Sequence, residues 1–381
     1  MAPSPGTRVA RTEEELRQRQ ARGDLRVRTA ADFRAAVNSE GLEAAYATTD
    51  VVVASNAELT DQASLLLHLG PSDPPIRIRR FQLGGAEGIG GHGNSDLVLP
   101  LGNGGAQVLT DLLAGRSLGL SASGDASAQQ PRRDLETQLN LERIGAGRLL
   151  LHRAIGENGV VAVSSREGIT PTPWGPVLGP FGTALFSCAG AGSIGLTMPG
   201  LALLGPGSPV LVGGAIGWVT GAGSGHNPHP RRQASGHATS PGACCAVEVD
   251  LHQLQPQWVR STALEGASSG LLVAIAAPVP LINLAVAHQA AADDADLAAP
   301  LLDFAIPRRV KPSHGLTTYA QLKAGVLELE GRSLRSAPAH SPRLAAAIAL
   351  ELAEQLRSGS FPIRLPLQPL SQRAALLPLE A

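Results

Sequence analysis

The chain has 381 residues, 17% of them charged and 43% apolar, with a formal net charge of -1. Such a length can bury a substantial core, and the near-neutral balance leaves no electrostatic footprint for nucleic acid or an anionic membrane. Three cysteines, Cys188 and the adjacent Cys244 and Cys245, are too few for a disulfide framework and fit a reducing compartment. No continuous apolar run of a secretory signal occurs in residues 1–24, so a cytoplasmic protein is expected.

Thr12 with Glu15 forms the pattern of a capping box, and the helix it starts should end at Gly23. A short strand over 25–28 follows, then a helix opened by Thr29, then a buried strand around Val51, Val52 and Val53. Thr60 is read as the cap of a helix running to Leu69 and halted by the prolines at 71, 74 and 75. Over 76–83, Ile76 and Ile78 alternate with Arg77 and Arg79, as in a half-exposed strand. The glycine-rich stretch 84–93 (GGAEGIGGHG) either exposes backbone N–H groups to an anion or is a turn-rich connector; its spacing fits no nucleotide fingerprint. Gly104 and Gly105 lead into a helix over 107–114, and a strand over 118–123 precedes a polar loop closed by Arg132 and Arg133. Strands are expected over 136–141, 148–154 and 160–164.

Residues 168–230 contain no Asp, Glu, Lys or Arg. A membrane span would need about 20 uninterrupted apolar residues, and prolines at 171, 173, 176, 180, 199, 206 and 209 break most windows. Short buried strands separated by Gly and Pro turns are expected instead, leaving a Gly-lined site with Gly213, Gly214 and His226 as candidate substrate-binding residues. Residues 227–243 read as a polar surface loop, 244–251 and 271–277 as strands, and 282–292 as a helix. Thr318 and Gln321 give a second capping box, 326–334 a strand pair, and Ser341 with Pro342 a helix ending near Gly359. The fold class is mixed α/β: one large strand-rich domain over 12–361 with Gly-rich loops and peripheral helices. Tails of 1–11 and 362–381 flank it, the latter aperiodic and expected to be mobile.

Candidate chemistry is sparse. His226, His229, His237, Cys244 and Cys245 match no standard zinc spacing, and adjacent cysteines on a strand face opposite ways, so no metal is assigned. Cys188 precedes the loop AGAGS, whose amides would lower a thiol pKa; the competing reading is a buried, inert thiol. Asp73, held between prolines, and the Arg132–Arg133 pair suit an amino-acid-like substrate, or are a turn cap and a solvated basic pair.

Five segments, in order, resemble the homocysteine biosynthesis (HcyBio) family: 68–76 (HLGPSDPPI), 104–115 (GGAQVLTDLLAG), 131–137 (PRRDLET), 213–221 (GGAIGWVTG) and 278–283 (PVPLIN). The resemblance spans roughly 13–361. It implies sulfur incorporation into aspartate semialdehyde to give homocysteine, with a cysteine persulfide delivering sulfur to the aldehyde carbon. It also implies electrons from a ferredoxin-like partner that carries the iron–sulfur group, with no cofactor on this chain. Arg132 and Arg133 would fix the substrate carboxylate, and the glycine loops would stabilise the aldehyde oxygen. At the position of the family's reactive cysteine this chain has Gln129, and a second family cysteine falls near Asp61. Two functions therefore stand: a divergent sulfur-incorporating enzyme in which Cys188 or free sulfide replaces the missing nucleophile, or a non-catalytic metabolite-binding or regulatory protein that keeps the cavity.

Overall fold

Two long apolar strands organise the molecule, whose computed structural model describes residues 10–91, 96–262 and 270–375. Val51–Thr60 and Gly270–Pro280 pair antiparallel from Leu271 opposite Thr60 to Pro280 opposite Val51. Every residue of Gly270–Pro280 is buried, which explains why its sequence shows a continuous apolar run instead of alternation. One face of the pair is covered by the helix Pro342–Ser358, through Ala345, Ile348, Ala349, Leu352, Ala353 and Leu356 at three- and four-residue spacing. Ser341 caps this helix by accepting from the Leu344 amide, and Gly359 ends it at φ 78°. The opposite face of the pair belongs to the main core.

Around this pair runs a 14-stranded sheet. Its path goes from Val27–Thr29 at one edge through the central pair to Pro209–Val212, Ala215–Ala222, Cys244–Asp250 and Ile144–Gly156. It then continues through Ala63–Leu69 to Asp134–Leu139 at the far edge. A six-stranded sheet, with Val161–Val163, Thr183–Phe186 and Ala298–Asp303 among its members, encloses a separate core centred on Tyr319 and Phe186. The chain passes from the large sheet to the small one over 157–160, immediately after the strand Ile144–Gly156. The architecture is mixed α/β and strand-rich, and both capping boxes are formed, Thr12 with Glu15 and Thr318 with Gln321. No helix among the described residues is long and apolar enough to cross a membrane.

One expected element is overturned. Ala63–Leu69 is a strand, not a helix: Ala63, Leu65 and Leu67 are buried while Ser64, Leu66 and His68 are half-buried, a period of two. The run of leucines has no strong helical signal, and pairing with strands on both sides satisfies its backbone. Within the glycine-rich stretch, Gly84 (φ 56°) and Gly85 (φ 88°) make the two-residue turn of a hairpin between Ile78–Leu83 and Ala86–Gly90; residues 92 and 93 lie outside the described residues. The expected mobile tail is packed as far as it is described: Ile363 and Leu370 are buried, and the Leu370 amide donates to Leu204 O. Its last residues, 376–381, and residues 1–9 of the N-terminal tail lie outside the described residues.

Candidate functional site

A cavity of about 330 Å³ opens at the seam where the two sheets meet. The large sheet contributes Asn56 and Glu58, two apart on the main-core face of Val51–Thr60, with Val273 and Ile275 opposite them on the paired strand. Arg153 comes from Ile144–Gly156, and Asn158 and Gly159 from the crossing segment. From the other side come Ser187 and Cys188, at the end of Thr183–Phe186, and an apolar wall of Trp174 and Phe304, whose rings meet edge to face at 5.7 Å. The exposed Asp61 stands at the rim.

Cys188 sits deep in this wall, 4% exposed, and its Sγ donates to Ser193 Oγ at 3.3 Å. Burial pushes its thiol up, and the nearby Glu58 adds to the effect; a hydrogen bond with the Gly190 backbone pulls the other way and does not prevail. The amides expected to activate this thiol are therefore outweighed by desolvation. Gly159 lies flat against it, since a Cβ there would fall 2.5 Å from Cys188 Cβ and 2.7 Å from Ser187 Oγ. Tyr319, also raised by burial, donates its hydroxyl to Asn158 Oδ1 at 2.6 Å. The Asn158 amide donates to Ala238 O and Ala298 O, which ties the crossing segment to both sides of the seam.

Glu58 is the unusual ionisable group. It presents part of its surface to the cavity yet is surrounded by protein, and burial raises it to about 7, against weaker lowering from Asn56 and Arg153. Asn56 Nδ2 donates to Glu58 Oε1 at 2.6 Å, while Asn56 Oδ1 accepts from the Ile194 amide. Arg153 lines the same cavity and makes no ion pair with a described carboxylate, so its guanidinium is a cation available to a ligand. Just behind the seam, the fully buried Glu157 is paired with Arg232 and accepts from the Gly200 amide at 2.6 Å and the Ala243 amide at 3.0 Å, fixing the crossing segment.

Of the site residues singled out from the sequence, Cys188 lines this cavity, and Asp61, near which the resemblance puts the second family cysteine, stands at its rim. Gln129, exposed, and the pair Arg132 and Arg133 lie in the loop between Leu118–Gly124 and Asp134–Leu139, toward the far edge of the large sheet. The Arg132 amide donates to Pro75 O at 3.3 Å and its Nε to Asp134 O at 2.9 Å, which brings this loop beside the exposed Asp73. Gly104 (φ 97°) begins the helix Gly105–Leu113, and Gly105 packs on Pro100 O. Gly213 and Gly214 form the turn between Pro209–Val212 and Ala215–Ala222, pressed against Leu254, Val259 and Trp258. His226 is buried, and its Nδ1 lies 3.0 Å from Cys244 O and 3.1 Å from the Cys244 amide nitrogen. His237, buried as well, has its pKa lowered by burial, so part of the expected surface loop is packed inside. Of the charge-free stretch, Pro173, Trp174, Ser187 and Cys188 reach the cavity, and Gly213, Gly214 and His226 do not.

Sequence reasoning passed over Glu58, Asn56 and Arg153. The available signal was the pair Asn56 and Glu58, polar residues at a spacing of two inside an otherwise apolar strand, so that both face one side.

The fold and its cavity define a strand-rich α/β protein whose pocket carries a thiol, a carboxyl and a guanidinium. The homocysteine biosynthesis enzyme, sulfur-incorporation family matches residues 25–363, and the chain belongs to it. It is 28% identical to the L-aspartate semialdehyde sulfurtransferase of Methanosarcina acetivorans, over 96% of this chain and 73% of that protein. To the enzyme of the same name from Methanocaldococcus jannaschii it is 26% identical, over 93% of this chain and 72% of the relative. No solved structure matches it.

Proposed function

We propose that this chain is a sulfur-incorporating enzyme of homocysteine formation, acting on aspartate semialdehyde or a closely related amino-acid aldehyde in the seam cavity. Family membership and the names of its two relatives support the reaction class. The observation that carries the site is the meeting of Cys188, Glu58 and Arg153 around one cavity of a size suited to a small metabolite. Arg153 would hold the substrate carboxylate through paired N–H donors, and Cys188 would be the thiol that reacts with the aldehyde carbon. In the net conversion the aldehyde oxygen leaves as water and the carbon gains sulfur from a donor at the sulfide level. A separate low-potential reductant, of the iron–sulfur class on a ferredoxin-like partner, then supplies two electrons that, with two protons, turn the C=S group into CH–SH.

A second reading, a metabolite-binding protein without the sulfur step, draws on two observations. Burial raises the Cys188 thiol, and Gln129, which the family resemblance puts at the reactive cysteine's position, is exposed and does not line the cavity. The test is to incubate the purified chain with aspartate semialdehyde, sulfide and a low-potential reductant, and to measure homocysteine by mass spectrometry. Homocysteine formed by the wild type and lost in Cys188→Ser supports the enzyme reading. Saturable binding of the aldehyde with no homocysteine supports the second reading, and formation that survives Cys188→Ser removes Cys188 from the chemistry.

A further inference from the structure

We propose that Glu58 is the proton-transfer group of the seam cavity, taking the Cys188 thiol proton as sulfur adds to a substrate aldehyde and returning it to the aldehyde oxygen. The product is a hemithioacetal on Cys188. The S–H bond breaks, the S–C bond forms, the carbonyl π pair becomes the oxygen's bond to the returned proton, and nothing is oxidised or reduced. This deepens the proposed function and rests on it for the identity of the aldehyde.

The argument starts from what surrounds the thiol. Ser193, which accepts from Cys188 Sγ, is a neutral hydroxyl, and Tyr319 donates its own proton to Asn158 and is raised by burial. Neither accepts a proton at neutral pH. No histidine lines the cavity among the described residues. The other lining carboxylate, Asp61, is exposed at the rim. Glu58 remains: it lines the same cavity as Cys188, and its charge raises the thiol. At about 7, Glu58 is partly ionised in neutral solution, so one carboxyl can both accept and return a proton. Its hydrogen bond from Asn56, itself anchored by the Ile194 amide, orients it. Arg153 faces the same space and would draw the carboxylate of the aldehyde into place.

The probe is succinic semialdehyde labelled with carbon-13 at its aldehyde carbon, followed by NMR on the full chain. The wild type should show a tetrahedral carbon resonance that is lost in Cys188→Ser. Exchange between free aldehyde and adduct should slow at least tenfold in Glu58→Gln, the order expected of a general base. Alkylation of Cys188 by iodoacetamide, located by mass spectrometry, should be unchanged or faster in that variant, because a like charge has gone. Should Glu58→Gln not fold, the wild-type profile decides. An exchange rate that rises through about 7 and then levels fits Glu58, whereas a rate that climbs with hydroxide throughout overturns the proposal. The groups facing Glu58 that must enter that profile are Arg153, Asp61 and Cys188 from the cavity and His340 from the bridged strand end. Absence of the adduct, or unaltered exchange in Glu58→Gln, also overturns it. Homocysteine formation without an adduct would sink this step and leave the sulfur-transfer reading standing; an adduct without homocysteine would do the reverse.

Discussion

Replacing Glu58 with Gln should make the protein more stable at pH 8 and leave it almost unchanged at pH 4. In the unfolded chain this carboxyl titrates at its ordinary 4.5, and in the folded protein burial raises it to about 7. The folded state therefore holds the proton more tightly, so the contribution of Glu58 to stability declines as pH rises from 4.5 to about 7 and is level above that. A gap of about 2.5 in pKa, at ~1.4 kcal/mol for each, makes the ionised Glu58 cost about 3 kcal/mol at pH 8. Gln keeps the acceptor for Asn56 Nδ2 and has no charge to desolvate, so it recovers most of that cost without opening a cavity. Urea unfolding of both proteins at pH 4, 6 and 8 measures the difference. A Glu58→Gln variant equal to or less stable than the wild type at pH 8, or a difference independent of pH, would refute the burial of this charge. The cost also bears on function: an acid kept in a site that penalises its ionisation fits a chemical role better than a structural one.

Two further outcomes follow from the same seam. His340, bridged to Glu58 through the backbone, is lowered by burial to about 4, so the unfolded chain takes up a proton between 6.5 and 4 that the folded protein refuses. The His340 contribution should fall by about 3 kcal/mol as pH drops through that window, opposing that of Glu58, so His340→Gln should gain about that much stability over the wild type at pH 4 relative to pH 7 in urea unfolding; a difference independent of pH would contradict it. Gly159→Ala drives a Cβ to 2.5 Å from Cys188 Cβ and 2.8 Å from its amide nitrogen, neighbours that cannot swing away. It should cost about 1–3 kcal/mol and alter Cys188 alkylation, and an unshifted thermal midpoint would show that the crossing segment has slack.

Much of the fold was legible because local chemistry and tertiary structure agree. Thr12, Thr318 and Ser341 sit where capping side chains are needed, and the Pro342–Ser358 helix carries its apolar face at helical spacing. The segment over Ala63–Leu69 was misread because a cap-like Thr60 and a run of leucines are locally ambiguous. Its two flanking strands, distant in sequence, settled it.

Composition and motifs determined by themselves the mixed α/β class, the family and the chemistry to look for, since these rest on residue type, spacing and order. Only the tertiary structure decided where that chemistry gathers. Cys188, Arg153 and Glu58 are far apart in the chain and converge because the chain crosses between two sheets at 157–160. The most glycine-rich part of the charge-free stretch, around Gly213 and Gly214, instead serves a tight turn against Trp258. Burial, which no spacing rule reports, raises both Glu58 and Cys188 and makes this cavity more than a gap between sheets.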